Sequence, residues 1–170
     1  MNLREAIEAS LEFERKIRAH YKESAEKAGT EPGRKFYSLL AREEDGHVSY
    51  LKKMDEEYGK TGSLPEEPLS TLFTRTEWVI EGGKAMNGAA GGGGNQSEMD
   101  RLLTALRLEE EATKLYEKLV LSLGPEGGKF FGQFLKIEEA HTALVRAEVD
   151  YFNRSGYFYD FPEFSLEAME

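Results

Sequence analysis

Hydrophobic residues recur every three or four positions over four long stretches of the chain, a pattern typical of helices that bury one face. The four helices predicted from it cover about residues 2–28, 33–58, 97–123 and 126–153. Glycine and proline mark their ends, in the segments AGTEPG, TGSLPEEP and LGPEGG. The sequence therefore predicts an all-α protein.

The breaks between the predicted helices differ greatly in length, and this limits how the helices connect. Only a few residues join the first helix to the second and the third to the fourth, so each pair is expected to form an antiparallel hairpin. A crossover of more than thirty residues, 61–96, separates the hairpins. A connection that long can run the length of a bundle and leave the second and third helices parallel. The predicted fold is a single-domain, ferritin-like four-helix bundle of two hairpins joined by a long crossover.

Two segments outside the predicted helices differ in composition. Within the crossover, PLSTLFTRTEWVIEGG can form a short helix that packs on the bundle through Leu72, Phe73, Trp78 and Ile80. The following NGAAGGGGNQ has too little apolar surface to be buried and is expected to be a mobile linker. The C-terminal tail, 156–170, has enough aromatic residues to dock on the bundle, but the sequence does not indicate where.

Charge and composition narrow the range of partners. The net charge of −10 is expected to repel nucleic acid and anionic membranes and to favour cations. No apolar stretch is long enough for a transmembrane helix, and MNLREAIEASLEFERK has no apolar signal-peptide core, so we expect a cytoplasmic protein. The chain has no cysteine, which excludes thiolate zinc and cysteine-ligated iron. Any metal must be bound by oxygen and imidazole nitrogen.

One constellation of polar residues occurs twice, once in each predicted hairpin. It consists of a Glu, a Tyr seven positions later, and a Glu-x-x-His pair: Glu14, Tyr21, Glu44 and His47, then Glu109, Tyr116, Glu138 and His141. The Tyr and the Glu of the pair are separated by 23 positions in the first copy and by 22 in the second. The chain is therefore predicted to be a duplicated helical hairpin.

The repeated carboxylates and imidazoles fall on helix faces that should be buried. A Glu and a His three positions apart on a helix can reach the same point. Four unpaired carboxylates in one core would be strongly destabilising, whereas two divalent cations would balance their charge with both imidazoles neutral. This ligand pattern is that of di-iron carboxylate bundles. We predict a dinuclear metal site with the ligands Glu14, Glu44, His47, Glu109, Glu138 and His141. Two iron ions are expected, with manganese left open.

The two repeated tyrosines are the candidate catalytic residues. Tyr21 and Tyr116 lie two turns from Glu14 and Glu109 on nearly the same face. Each can donate a hydrogen bond to a ligand from another helix and so tune the site. The alternative is an ordinary core tyrosine whose hydroxyl is bonded elsewhere.

Other polar residues near the predicted ligands are expected to lie outside the site. His20 has no counterpart in the second half and should lie at the exposed rim. Glu43 and Glu139, each next to a ligand, are expected to point to solvent. Glu110 and Glu111 are expected to be surface charges, although a carboxylate shift could recruit Glu110 to the site.

At these residues the sequence resembles the rubrerythrin branch of the ferritin-like superfamily. The motifs are EFERKIRAHY, FYSLLAREEDGH, LEEEATKLY and FFGQFLKIEEAH, within about residues 3–153. The resemblance implies a four-helix bundle whose di-iron site reduces hydrogen peroxide, or in some members dioxygen, to water. The chain departs from it in lacking the cysteines of a rubredoxin domain, in Ala112 where an extra glutamate often stands, and in His141 where a glutamate can stand. The site is thus more symmetric, as in bacterioferritin-like ferroxidase centres.

The leading hypothesis is an oxidoreductase acting on hydrogen peroxide or dioxygen with electrons from an external donor, rubredoxin-like or other. The glutamates would bridge or bind one ion each, and each histidine would bind one ion. Ferritin-like iron oxidation and storage, oxygenation of an organic substrate and a purely structural metal site are the alternatives. A homodimer is compatible with such a bundle, but no sequence feature demands it.

Overall fold

Four long helices form the part of the chain that the computed structural model describes, residues 1–72 and 95–159. They are α1 (Leu3–Lys27), α2 (Glu31–Thr61), α3 (Gln96–Ser122) and α4 (Gly124–Ser155). No strand occurs in these residues, and the predicted all-α four-helix bundle is confirmed.

Local sequence explains where the helices begin and end. Asn2 accepts a hydrogen bond from the Glu5 N–H, and the Glu5 carboxylate accepts one from the Asn2 N–H, forming a capping box on α1. Thr30 caps α2 in a similar way through its hydroxyl. Gly62 and Gly156 end α2 and α4 in the left-handed conformation, with φ of 73° and 77°, which glycine adopts at little steric cost.

The second helix of each hairpin starts earlier than the predicted residues 33 and 126. Pro32 lies in the first turn of α2, which begins at Glu31, and Pro125 lies in the first turn of α4, which begins at Gly124. Proline is tolerated there because the first N–H groups of a helix have no acceptor within it. Both prolines are thus part of a helix and do not mark a boundary before it.

Contacts between side chains give the direction of each helix. In the first hairpin Arg4 pairs with Asp55 and Arg18 with Asp45, so α1 and α2 are antiparallel. In the second hairpin Thr113 is hydrogen-bonded to Thr142 and Glu110 to Arg146, so α3 and α4 are also antiparallel. The two hairpins expected from the short breaks are therefore present.

The pairing of α1 with α3 determines how the two hairpins are joined. Tyr21 on α1 contacts Glu109 on α3, and Glu14 contacts Tyr116, so the residue number falls on α3 as it rises on α1. Both α2 and α3 are thus antiparallel to α1 and parallel to each other. The end of α2 and the start of α3 therefore lie at opposite ends of the bundle, which agrees with the predicted parallel arrangement of these two helices.

Only parts of the crossover and the tail belong to the described residues. Leu64, Leu69 and Leu72 pack against the core at the start of the crossover. The predicted short helix beyond Leu72 and the glycine-rich linker lie outside the described residues, as does the tail after Tyr159. None of the helices in the described part is both long and apolar enough to cross a membrane.

The start of the tail docks at one end of the bundle, a position that the sequence did not indicate. Phe158 is buried and packs against Phe36, Tyr37 and Phe152, with ring centroids 5.1–6.0 Å apart. The site described below lies further along the bundle, surrounded by all four helices.

Candidate metal centre

The structure brings all six predicted ligands together inside the bundle, with each at 0% exposure. Helices α1 and α3 contribute one carboxylate each, and α2 and α4 contribute one Glu-x-x-His pair each: Glu14, Glu109, Glu44 with His47, and Glu138 with His141. Their ligand atoms form two groups of four, each compact enough to hold a metal ion.

The first group surrounds His47 and is called the His47 position below. Around His47 Nδ1 lie Glu44 Oε2 at 3.1 Å, and Glu14 Oε2 and Glu138 Oε1 at 3.2 Å. One N–H cannot donate well to three oxygens at once. Ligand atoms about 2.1 Å from a shared octahedral cation, by contrast, are about 3.0 Å apart. The spacing therefore fits a common cation better than a set of hydrogen bonds.

The second group surrounds His141 and is called the His141 position below. Around His141 Nδ1 lie Glu44 Oε1 at 3.2 Å, Glu138 Oε2 at 3.3 Å and Glu109 Oε2 at 3.7 Å. Its composition repeats that of the first group, with one imidazole and three carboxylates. The longer separation from Glu109 makes it slightly wider than the His47 position.

Glu44 and Glu138 belong to both positions. Each directs one carboxylate oxygen towards His47 and the other towards His141. Two bound ions would share these two carboxylates, whereas Glu14 and Glu109 would each contact one position only. Sequence reasoning could not make this distinction, because all four glutamates face the centre of the bundle.

Unsatisfied polar atoms show that the cluster fits cations. Among the described residues, both oxygens of Glu44, both oxygens of Glu138 and Oε2 of Glu109 are buried without a hydrogen-bond partner. Imidazole nitrogens lie near these oxygens, but not at hydrogen-bonding angles. A buried polar atom without a partner costs free energy. Two cations at the His47 and His141 positions would provide the missing partners.

Protons balance the charge of the cluster when no metal is bound. Burial raises the pKa of Glu14 well above its usual range, and it raises the pKa of Glu109 to about 8. Burial opposes protonation of His47 and His141, but the nearby carboxylates outweigh it and raise both imidazole pKa values well above the usual range. In the metal-free cluster these shifts favour the protonated form of all four groups.

The two bridging carboxylates remain ionised in the same cluster. Burial favours their neutral form, but attraction to protonated His47 outweighs this for Glu44, whose pKa is lowered well below its usual range. His141 lowers the pKa of Glu138 in the same way. With Glu14, Glu109, His47 and His141 protonated and Glu44 and Glu138 ionised, the metal-free cluster would be neutral, and its four added protons would balance the same charge as two divalent cations.

The candidate catalytic tyrosines connect the two hairpins at the site. Tyr21 donates a hydrogen bond to Oε1 of Glu109, and Tyr116 donates one to Oε1 of Glu14. Both phenols are fully buried. Each carboxylate that serves a single position is thus oriented by a tyrosine from the other hairpin. The sequence predicted hydrogen bonds of this kind but not which ligand each tyrosine reaches.

The prediction that Glu43 points to solvent is wrong. Its side chain is buried, accepts hydrogen bonds from Thr71 Oγ1 at 2.5 Å and from the Leu72 N–H at 2.7 Å, and lies 3.4 Å from His141 Nε2. The equivalent position in the second half is Ile137, an apolar residue. That apolar counterpart was the signal in the sequence that this helix face is covered.

The remaining neighbours of the site lie near the surface. Glu139 is exposed, and the partly exposed Glu110 and Glu111 form ion pairs with arginines. His20 is half-buried at the rim, with Nε2 3.0 Å from the backbone carbonyl of Arg101. Nothing in the structure brings these four side chains to the metal positions.

Comparison with protein-family models, with curated proteins and with solved structures finds no match to this chain. Relationship to the rubrerythrin branch therefore stays a prediction from the motifs.

Proposed function

We propose that the protein is an oxidoreductase that binds two iron ions and reduces hydrogen peroxide or dioxygen with electrons from an external donor. The observation that carries the proposal is the arrangement of Glu44 and Glu138, each of which offers one oxygen to each of two adjacent positions. Bound there, two Fe(II) ions would supply the two electrons that convert one hydrogen peroxide and two protons into two waters.

The ligand set suits redox-active ions of the iron type. Each position is surrounded by carboxylate oxygens and one imidazole nitrogen, which iron and manganese bind readily. The four carboxylates neutralise two divalent ions, so no excess charge is buried. His47 and His141 each serve one position only, which leaves each ion with its own nitrogen ligand.

The chain also supplies orientation. Tyr21 and Tyr116 hold the two terminal carboxylates in place by their hydrogen bonds. Burial, reinforced by the adjacent carboxylates, raises the pKa of both phenols well above their usual range, so they stay protonated and continue to donate. In this proposal the two tyrosines are positioning residues for Glu109 and Glu14.

Aromatic side chains limit the access of water to the site. The ring of Phe134 packs edge-on against His47, with centroids 5.5 Å apart, and Phe130 and Phe131 pack against Phe134. All three are buried. A small oxidant such as peroxide or dioxygen suits a site enclosed in this way better than a large organic substrate.

The experiment that tests the proposal is a count of bound iron. Metal-free protein is loaded anaerobically with excess Fe(II), exposed to peroxide or to dioxygen, desalted and analysed. We expect about two irons per chain, and fewer in Glu44→Ala and Glu138→Ala. Glu139→Ala is the matched control, because Glu139 is the exposed neighbour of Glu138.

Other results would point elsewhere. One iron or none per wild-type chain would contradict a dinuclear centre. Many irons per chain in a large assembly would support ferritin-like iron oxidation and storage instead. If two irons bind, the rates of oxidation by peroxide and by dioxygen, measured by stopped flow, identify the preferred oxidant.

A further inference from the structure

The His47 and His141 positions differ in the surroundings of Nε2, the imidazole nitrogen that does not face the predicted ligand carboxylates. The rings of His47 and His141 are stacked, with centroids 5.5 Å apart and planes inclined by 12°. Glu43 lies beside both rings, and Glu43, His47 and His141 each place one possible ligand atom within 4.8 Å of the others. His141 Nε2 is 3.4 Å from Glu43 Oε2, whereas His47 Nε2 has no hydrogen-bond partner among the described residues.

The sequence repeat explains this difference. Glu43 immediately precedes the bridging Glu44, and the residue that precedes the bridging Glu138 is Ile137. The Glu43 side chain, on α2, reaches His141 on α4, in the other hairpin. Isoleucine has no atom that can accept a hydrogen bond from an imidazole, so the duplicated site has only one such carboxylate.

Thr71 and Leu72, in the first part of the crossover, hold Glu43 in place. The Leu72 N–H donates to Oε1 at 2.7 Å, and the Thr71 hydroxyl donates to Oε2 at 2.5 Å. Glu43 itself is 5% exposed. A buried carboxylate with these partners has little freedom to turn away from His141.

We propose that Glu43 is a positioning residue that makes the His141 position bind metal more tightly than the His47 position. By accepting the Nε2–H of His141, it keeps Nδ1 directed at the metal and increases the electron density on that nitrogen. Loss of such an outer hydrogen bond typically lowers metal affinity about 10- to 100-fold. The inference rests on the proposed dinuclear function.

The arrangement also makes the crossover part of the metal centre. Thr71 and Leu72 hydrogen-bond to Glu43, and the Glu43 carboxylate lies 3.4 Å from Nε2 of His141. We therefore expect Thr71→Val, which removes one of the donors to Glu43, to weaken the same binding step as Glu43→Gln and by a smaller factor.

The experiment is a titration of the metal-free full chain with Co(II), followed by visible absorption and calorimetry and thus independent of activity. Wild type should bind two ions in a tight and a weaker step. Glu109→Gln, which removes a ligand of the His141 position only, should abolish the tight step. Glu14→Gln should abolish the weaker one. Glu43→Gln should weaken the tight step about 10- to 100-fold and leave the other unchanged.

Controls and contrary outcomes are defined by the same titration. Glu139→Gln should bind as wild type does, and circular dichroism verifies that each variant is folded. If the Glu43→Gln variant bound Co(II) as the wild type does, or if both binding steps were weakened equally, the proposal would be overturned. A third Co(II) that is lost in Glu43→Gln would also overturn it, because Glu43 would then be a ligand. Fewer than two ions on wild type would contradict the dinuclear function itself.

Discussion

Tyr116 on α3 donates a hydrogen bond to Glu14 on α1, a residue 102 positions earlier in the chain. The same bond recurs between Tyr21 and Glu109, so the two hairpins exchange one tyrosine each. The bonds join elements that are distant in sequence and orient the carboxylates that serve one metal position each.

Tyr116→Phe should destabilise the metal-free protein by about 1–3 kcal/mol, because it leaves a fully buried oxygen of Glu14 without its donor. It should also weaken metal binding at the His47 position by about tenfold. Urea unfolding with and without Co(II) measures both effects. Tyr37→Phe is the matched control, since the buried Tyr37 hydroxyl has no hydrogen-bond partner in the described part of the chain. Equal destabilisation by the two changes would contradict the assigned role.

Metal loading should release about four protons per chain near neutral pH. Glu14, Glu109, His47 and His141 are each protonated in the metal-free cluster, since their pKa values are raised, and divalent cations displace these protons. The number should fall as the pH rises through about 8, where Glu109 loses its proton. Calorimetry in buffers of different ionisation enthalpy measures the release. Binding of two ions without net release of protons would contradict this charge balance.

Glu148 should make the stability of the metal-free protein depend on pH. The side chain is fully buried. One carboxylate oxygen accepts a hydrogen bond from the Tyr159 N–H at 2.9 Å, and the other has no hydrogen-bond partner in the described chain. Burial raises the pKa of Glu148 to about 8. The native state therefore holds a proton that the unfolded chain loses above its normal pKa of 4.5, so stability falls as the pH rises towards 8.

Replacing Glu148 with glutamine should remove most of this dependence. Between pH 5 and pH 8 the wild type should lose on the order of 2–4 kcal/mol more than Glu148→Gln does. Urea unfolding at several pH values, with metal chelated throughout, measures the difference. Glu139→Gln serves as the exposed control. Parallel pH profiles for wild type and Glu148→Gln would show that the buried carboxyl does not contribute.

Two glycines of α2 should respond to alanine in opposite ways. A Cβ at Gly33 would lie 2.9 Å from two ring carbons of Phe158, so Gly33→Ala should displace the start of the tail and cost about 1–3 kcal/mol. A Cβ at Gly46 would meet no atom within 4 Å, so Gly46→Ala should stabilise α2 by about 0.5–1 kcal/mol. Thermal unfolding of both variants measures the effects. A stabilising Gly33→Ala would contradict the docking of Phe158.

Patterns within the amino-acid sequence are enough to predict the helices, the two hairpins and the set of residues that meets at the site. Helical periodicity identifies which face of each helix is buried, and the repeat of Glu, Tyr and Glu-x-x-His marks equivalent places on those faces. Short breaks and one long crossover then leave few ways to connect four helices. These are local properties, which is why they can be recognised without coordinates.

The groups that each polar side chain faces depend on how the helices pack together. All four glutamates share buried stripes, but the rotation and spacing of the helices make Glu44 and Glu138 common to both positions. The same packing covers Glu43, one position from a ligand and thus about 100° around the helix, with Thr71 and Leu72. Which side chain lies opposite depends on contacts between segments far apart in sequence, and periodicity within one helix does not contain that information.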